Sequence, residues 1–176
     1  MSVPRRAVAQ SSASAERTIT CRHALGIAHV GPVCLVVWHD AVTPDRFELQ
    51  RSALRSLAAQ QAQPIGFICV VQPTAPPPDA AMRRASVALI DELGPRLECV
   101  ACVIEGSGLV ATTTRSVLSA MAVLLRRATR QIKFTDSVTA AATWMESRCA
   151  GASATVLLAA HANLLVNMPN ALPTQA

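Results

Sequence analysis

Cys99-Val-Ala-Cys-Val-Ile-Glu-Gly-Ser-Gly-Leu-Val-Ala-Thr-Thr-Thr114 decides how the chain is read. An apolar run ends in Glu105-Gly106-Ser107-Gly108, and a helical pattern begins at once. This is the signature of a buried strand, a tight turn and a helix start. Backbone N–H groups at a helix N-terminus have no partner inside the helix, so such a turn favours an anion.

The same unit repeats upstream. Val33-Cys-Leu-Val-Val-Trp38 is a continuous apolar run, as expected of a strand covered on both faces. Thr43-Pro44-Asp45 then starts a helix: an N-cap, a proline in the first turn and an acid on the dipole. Phe47, Leu54 and Leu57 form its apolar face. Ile65 to Val71 is the second buried strand, followed by the stiff Pro73 to Pro78 loop. Asp79 caps a second helix, which Gly94-Pro95 stops. Helix three should follow Gly108, with Val110, Val117 and Met121 on one face. Ile132-Lys133-Phe134 reads as a short edge strand, and Asp136-Ser137 as the cap of another helix.

Before these units, Arg17 to Ala28 reads as one weakly alternating strand, and His29-Val30-Gly31-Pro32 as the turn of an antiparallel hairpin. The expected order is ββαβαβαβα. It describes an α/β fold with a mixed sheet of about five strands and about four helices, joined by right-handed crossovers. Residues 1–16 are expected to be a disordered tail, 17–150 the domain, and 151–176 an extra apolar helix and tail. That last segment should bury its stripe against the domain edge or against a second copy, which would make a homodimer.

Composition narrows the function classes. In 176 residues the hydrophobic content is 51% but aromatics are only 3%, so the core must be aliphatic. The net charge of +5 is carried almost wholly by arginines spread over several helices, with Lys133 the only lysine. Without a basic stripe and stacking aromatics, nucleic-acid binding is not expected. No apolar run reaches the ~18 residues of a membrane span. Neither is there a signal peptide, and at least four of the six cysteines fall in apolar runs, so a reduced, cytoplasmic setting is expected.

The chain resembles the STAS domain, in particular the SpoIIAA-like branch of small bacterial proteins related to anti-sigma-factor antagonists. The likeness covers about Ala24 to Arg148. It rests on Val33–Trp38 leading into Thr43-Pro44, on Leu97-Glu-Cys-Val-Ala-Cys-Val-Ile104 followed by a helix, and on Ile132-Lys-Phe-Thr-Asp136 with Ala140-Ala-Ala-Thr-Trp144-Met145. The resemblance implies a non-enzymatic regulatory or protein-docking module with a protein partner. Antagonist members carry a phosphorylated serine in an Asp-Ser-Ser-Gly-Leu type motif after the second long strand. Here Pro73 to Asp79 stands there, with Thr74 as its hydroxyl, while Ser107-Gly108-Leu109 comes one unit later. Phosphorylation at the family's serine therefore does not carry over.

The chemical motifs are weaker than their forms suggest. Gly106-x-Gly108-x-x-Ala111 matches a dinucleotide fingerprint, but only one short strand follows, so the second nucleotide-binding half is missing. Gly106-Ser107-Gly108 lacks the flanking glycines of a nucleophile elbow. Cys99-Val-Ala-Cys102 has zinc or redox spacing, but residues three apart on a strand face opposite sides. Cys21, His23, His29, Cys34 and His39 match no paired zinc spacing. No metal, no cofactor and no catalytic residue are expected. The candidate contact surface is Glu105, Gly106, Ser107 and Gly108 with Thr112, Thr113, Thr114 and Arg115. The alternative to docking is a small-ligand domain, holding a nucleotide or an apolar molecule near that turn.

Overall fold

A computed structural model describes residues 16–22, 24–106 and 131–168. The expected tails before residue 16 and after 168, and the helix expected after Gly108, lie outside the described residues.

The described chain forms an α/β sandwich around one mixed sheet. Its strands are β1 (Glu16–Arg22), β2 (Leu25–Val30), β3 (Val33–Trp38), β4 (Ile65–Val71), β5 (Leu97–Ile104) and β6 (Gln131–Thr135). They lie side by side in chain order. The pairs β1–β2 and β2–β3 are antiparallel, and β3 to β6 run parallel. The helices are α1 (Pro44–Gln60), α2 (Ala80–Leu93), α3 (Val138–Glu146) and α4 (Ala154–Asn167).

The sheet has six strands among the described residues, not five, and the difference lies at the start. The stretch expected to be one strand is two: the chain reverses so that Arg22 pairs with Leu25. His29 and Val30 belong to β2, and the turn before β3 is Gly31-Pro32 alone. Gly31 there has φ +56°, the left-handed backbone a tight hairpin turn needs. No Gly or Pro marks the first reversal, so composition did not announce it.

Alternation divides the core into two layers. Cys34, Val36, Trp38, Phe67 and Val100 point to one face, where Leu54, Leu57, Leu89 and Leu93 of α1 and α2 cover them. Leu35, Val37, Ile68, Val70 and Val103 point to the other, beneath Ala141, Met145, Leu157 and Leu164 of α3 and α4. Strands β3, β4 and β5 advance in one direction across the sheet, so right-handed crossovers put α1 and α2 on the same face. The apolar stripe of α4 packs on this sheet's own β1–β3 side.

Local chemistry sets the helix ends. Thr43 stands at the N-cap of α1 without a side-chain cap bond, and Pro44 opens the helix. The Asp79 carboxylate accepts from Met82 N–H at 2.8 Å, and Ser137 Oγ accepts from Ala140 N–H at 3.3 Å. Gly94 ends α2 with φ +52°. Across the α1–α2 seam Arg55 and Arg51 pair with Glu92, whose carboxyl Arg55 holds below its usual range.

Candidate functional site

The carboxyl ends of β3, β4, β5 and β6 gather at one edge of the sheet, where open α/β sheets place their ligands. Glu105 and Gly106 of the expected contact surface lie there. Ser107, Gly108, Thr112, Thr113, Thr114 and Arg115 fall outside the described residues. The Glu105 amide N–H donates to Val71 carbonyl at 3.0 Å, and the Gln72 side-chain amide donates to the Glu105 carboxylate. Gly106 is exposed, with φ +89°, and a β-carbon on it would lie 2.8 Å from Pro73 Cγ. Glycine at 106 is therefore required twice, by the backbone sign and by the proline ring. The loops after β4 and β5 are locked together here.

The cysteine pair divides as the strand reading requires. Cys99 faces α3, with its thiol 3.3 Å from Met145 Sδ, while Cys102 packs on the α1–α2 side. They cannot share a ligand. Burial pushes each thiol up to about 12. Of the early cluster, His23 lies outside the described residues, and the others do not converge. His29 Nε2 bonds the Ala53 carbonyl of α1 at 3.0 Å, and the Cys21 thiol donates to Leu164 carbonyl. No group of three metal-ligating side chains is found among the described residues.

A feature that the sequence reading missed lies between the sheet and α1–α2. It is a partly enclosed cavity of about 90 Å³ near the carboxyl ends of the strands. Trp38 and Phe67 line its floor with Cys69 and Cys102, which face each other across β4 and β5. Phe47 and Gln50 close it from α1, Leu89 and Ile90 from α2, and Ala75, Pro76 and Pro78 from the proline-rich loop. Ile132 and Phe134 of β6 line it as well. That loop's fold is pinned by Thr74 Oγ1, which donates to His39 carbonyl at 2.6 Å.

The lining is almost wholly apolar. Burial raises the Cys69 thiol well above its ordinary value, with Cys102 and Cys34 adding to the effect. Both cavity thiols are thus neutral at physiological pH and act as soft apolar surface. Ser86 Oγ donates to Met82 carbonyl at 2.8 Å. Gln50 accepts from the Trp38 indole at 3.0 Å. One signal in the sequence could have found this place. Gln50 stands three residues after Phe47 and four before Leu54, a polar residue on the buried stripe of α1.

Comparison of the chain with family models, with curated proteins and with solved structures returned no match. What the fold itself defines is an α/β domain in which an antiparallel meander leads into parallel βα units. Among the described residues no helix is long and apolar enough to cross a membrane.

Proposed function

We propose that this chain is a non-catalytic binding module whose ligand is a small apolar molecule. The apolar cavity at the carboxyl edge of the sheet carries this reading. Apolar walls with few polar groups are the usual make-up of small-molecule pockets. The cavity offers no carboxylate, imidazole or amine as acid, base or nucleophile among the described residues, and its thiols are neutral. That supports binding without chemistry. The Pro73–Pro78 loop links the cavity to the Glu105–Gly106 turn: Pro73 packs at Gly106, and Ala75, Pro76 and Pro78 line the cavity. Six free cysteines fit the reducing cytoplasmic setting.

The regulatory or protein-docking role implied by the STAS resemblance is a second reading. It is favoured by Leu165 and Val166 on the outer side of α4, which are 39% and 84% exposed. A partner protein or a second copy of the chain would cover them.

A thermal-shift screen separates the two. Small apolar compounds should raise the melting temperature saturably, because a ligand that binds only the native state stabilises it by mass action. Nucleotides should not. A flat response to every apolar compound, with the protein retaining a partner through Val166, would leave docking as the function.

A further inference from the structure

We infer that Gln50 selects the cavity's ligand, and that the ligand is a neutral molecule with a small apolar body and one acceptor oxygen, such as a ketone, ester or amide. This rests on the binding reading above and names the ligand class for the same cavity.

The orientation of the Gln50 amide decides the matter. An amide can ordinarily be turned either way, its oxygen and nitrogen exchanging places. Here its partner settles the choice. The Trp38 indole N–H is a donor only, so it must meet the amide oxygen, and it does so at 3.0 Å. Gln50 Nε2 therefore points away from the indole. Nothing among the described residues accepts from it. Nor is it sealed in: the fully buried side-chain polar atom without a partner among the described residues is His161 Nε2, on the other face of the sheet. Gln50 lines the cavity and is only 5% exposed overall. Its two N–H donors are presented to whatever the cavity holds.

The rest of the lining fixes the remainder of the ligand. The Ser86 hydroxyl hydrogen is already given to Met82 carbonyl, so it does not compete as a donor. No lysine, arginine or histidine lines the cavity among the described residues, so a carboxylate or phosphate would enter without a counter-charge. The ligand is neutral for that reason. A cavity of about 150 Å³ admits benzene. One of about 90 Å³ takes a body of about three to four carbons by the same scale, and the rest of a larger ring projects from the cavity, which is only partly enclosed. A ligand lacking the oxygen would bury the Gln50 donors unpaired. Sites built around such a group reject the analogue that lacks its partner.

The test compares cyclopentanone with cyclopentane, titrated into the full chain and followed by methyl NMR shifts. The two differ in water solubility, so the quantity to read is their affinity ratio in each variant, not either affinity alone. In Gln50→Met the ratio should fall about fivefold to tenfold, the worth of one buried hydrogen bond. The single substitution also strips the indole of its acceptor. The double variant Trp38→Phe/Gln50→Met removes both polar partners together, leaves neither orphaned, and should show the same fall. If both compounds bind the wild type and the ratio is unchanged in the variants, Gln50 selects nothing, while the cavity remains a binding site. If neither compound binds the wild type, the binding reading falls together with this inference.

Discussion

Met145 Sδ stands where a β-carbon on Gly66 would have to go. Gly66 sits early in β4, flanked by Val33 and Cys99 in the register of its neighbours. The missing side chain leaves a slot, and α3 lowers its fully buried methionine into it. A single glycine thus sets how closely α3 approaches the sheet. Gly66→Ala adds only one methyl group but forces Met145 out of its slot. The expected cost is about 1–3 kcal/mol, as for other overpacked cores. Urea denaturation should show a lower midpoint with unchanged slope. In Gly66→Ala/Met145→Ala the two changes share one contact, so their costs should be less than additive. Strict additivity would mean that the contact is not the cause.

Arg96 caps a helix to which it does not belong. Helix α1 has no basic residue in its last turn. The Arg96 guanidinium, from the short turn before β5, instead donates to the carbonyls of Ala58 and Gln61. It supplies both the charge and the donors that the end of α1 lacks. Arg96→Ala should lower stability by about 1–2 kcal/mol, since bonds to a charged donor are stronger than neutral ones. Arg96→Lys should recover only part, because a single ammonium nitrogen cannot also replace the bond that the second guanidinium nitrogen, Nη1, gives to Ala62 carbonyl. A lysine variant as stable as wild type would reduce the role to charge alone.

How far the sequence reaches can be judged from particular residues. The continuous apolar runs of β3, β4 and β5 gave themselves away because strands buried on both faces admit nothing else. Asp79, Ser137 and Gly94 marked helix ends by local chemistry that tertiary structure left intact. The reversal before Leu25 was hidden, because it is made without glycine or proline and β2 is buried throughout. Of the contact surface, Glu105 and Gly106 stand at the carboxyl edge as their strand–turn spacing implied, and the other residues lie outside the described chain. The cavity was illegible for a different reason. Its walls come from β3 to β6, α1, α2 and a loop, and no local pattern reports how such distant pieces meet. Only Gln50, polar on an apolar stripe, betrayed it.

Cysteine chemistry should follow the two faces of the sheet. With Cys99 and Cys102 raised to about 12, both are thiols across the working range of pH. Their alkylation should be slow and should accelerate about tenfold per pH unit from pH 7 to 10, without a plateau. Cys102, which is half-buried beside the cavity, should react before the fully buried Cys99. Saturating cyclopentanone should protect Cys69 and Cys102 and leave Cys99 unaffected. Peptide mass spectrometry after timed iodoacetamide treatment reads all three. Equal protection of Cys99 would show that the ligand tightens the whole fold and not the cavity in particular.

Among the described residues, His161 Nε2 is the fully buried side-chain polar atom without a hydrogen-bond partner. The residue lies on the inner stripe of α4 between Leu157 and Leu164, 9% exposed. Burial lowers its pKa, and the Glu105 carboxylate offsets only part of that. The sign of the pH effect follows. Above about pH 6.5 the imidazole is neutral in both folded and unfolded chains, and the neutral ring suits the buried site. As pH falls below that value the unfolded chain takes up a proton first, because its pKa is the higher one. Stability is therefore lost progressively on acidification, until the folded-state pKa is passed and the slope ends. His161→Leu removes the titration and fills the same stripe position with an apolar side chain. The variant should be more stable than wild type at pH 7.5, since it no longer buries an unpaired nitrogen. Its advantage should widen between pH 6.5 and 5. Guanidinium denaturation at four pH values across that range gives the difference directly. A constant difference at every pH would mean that His161 keeps its ordinary pKa in the fold, and that water reaches Nε2.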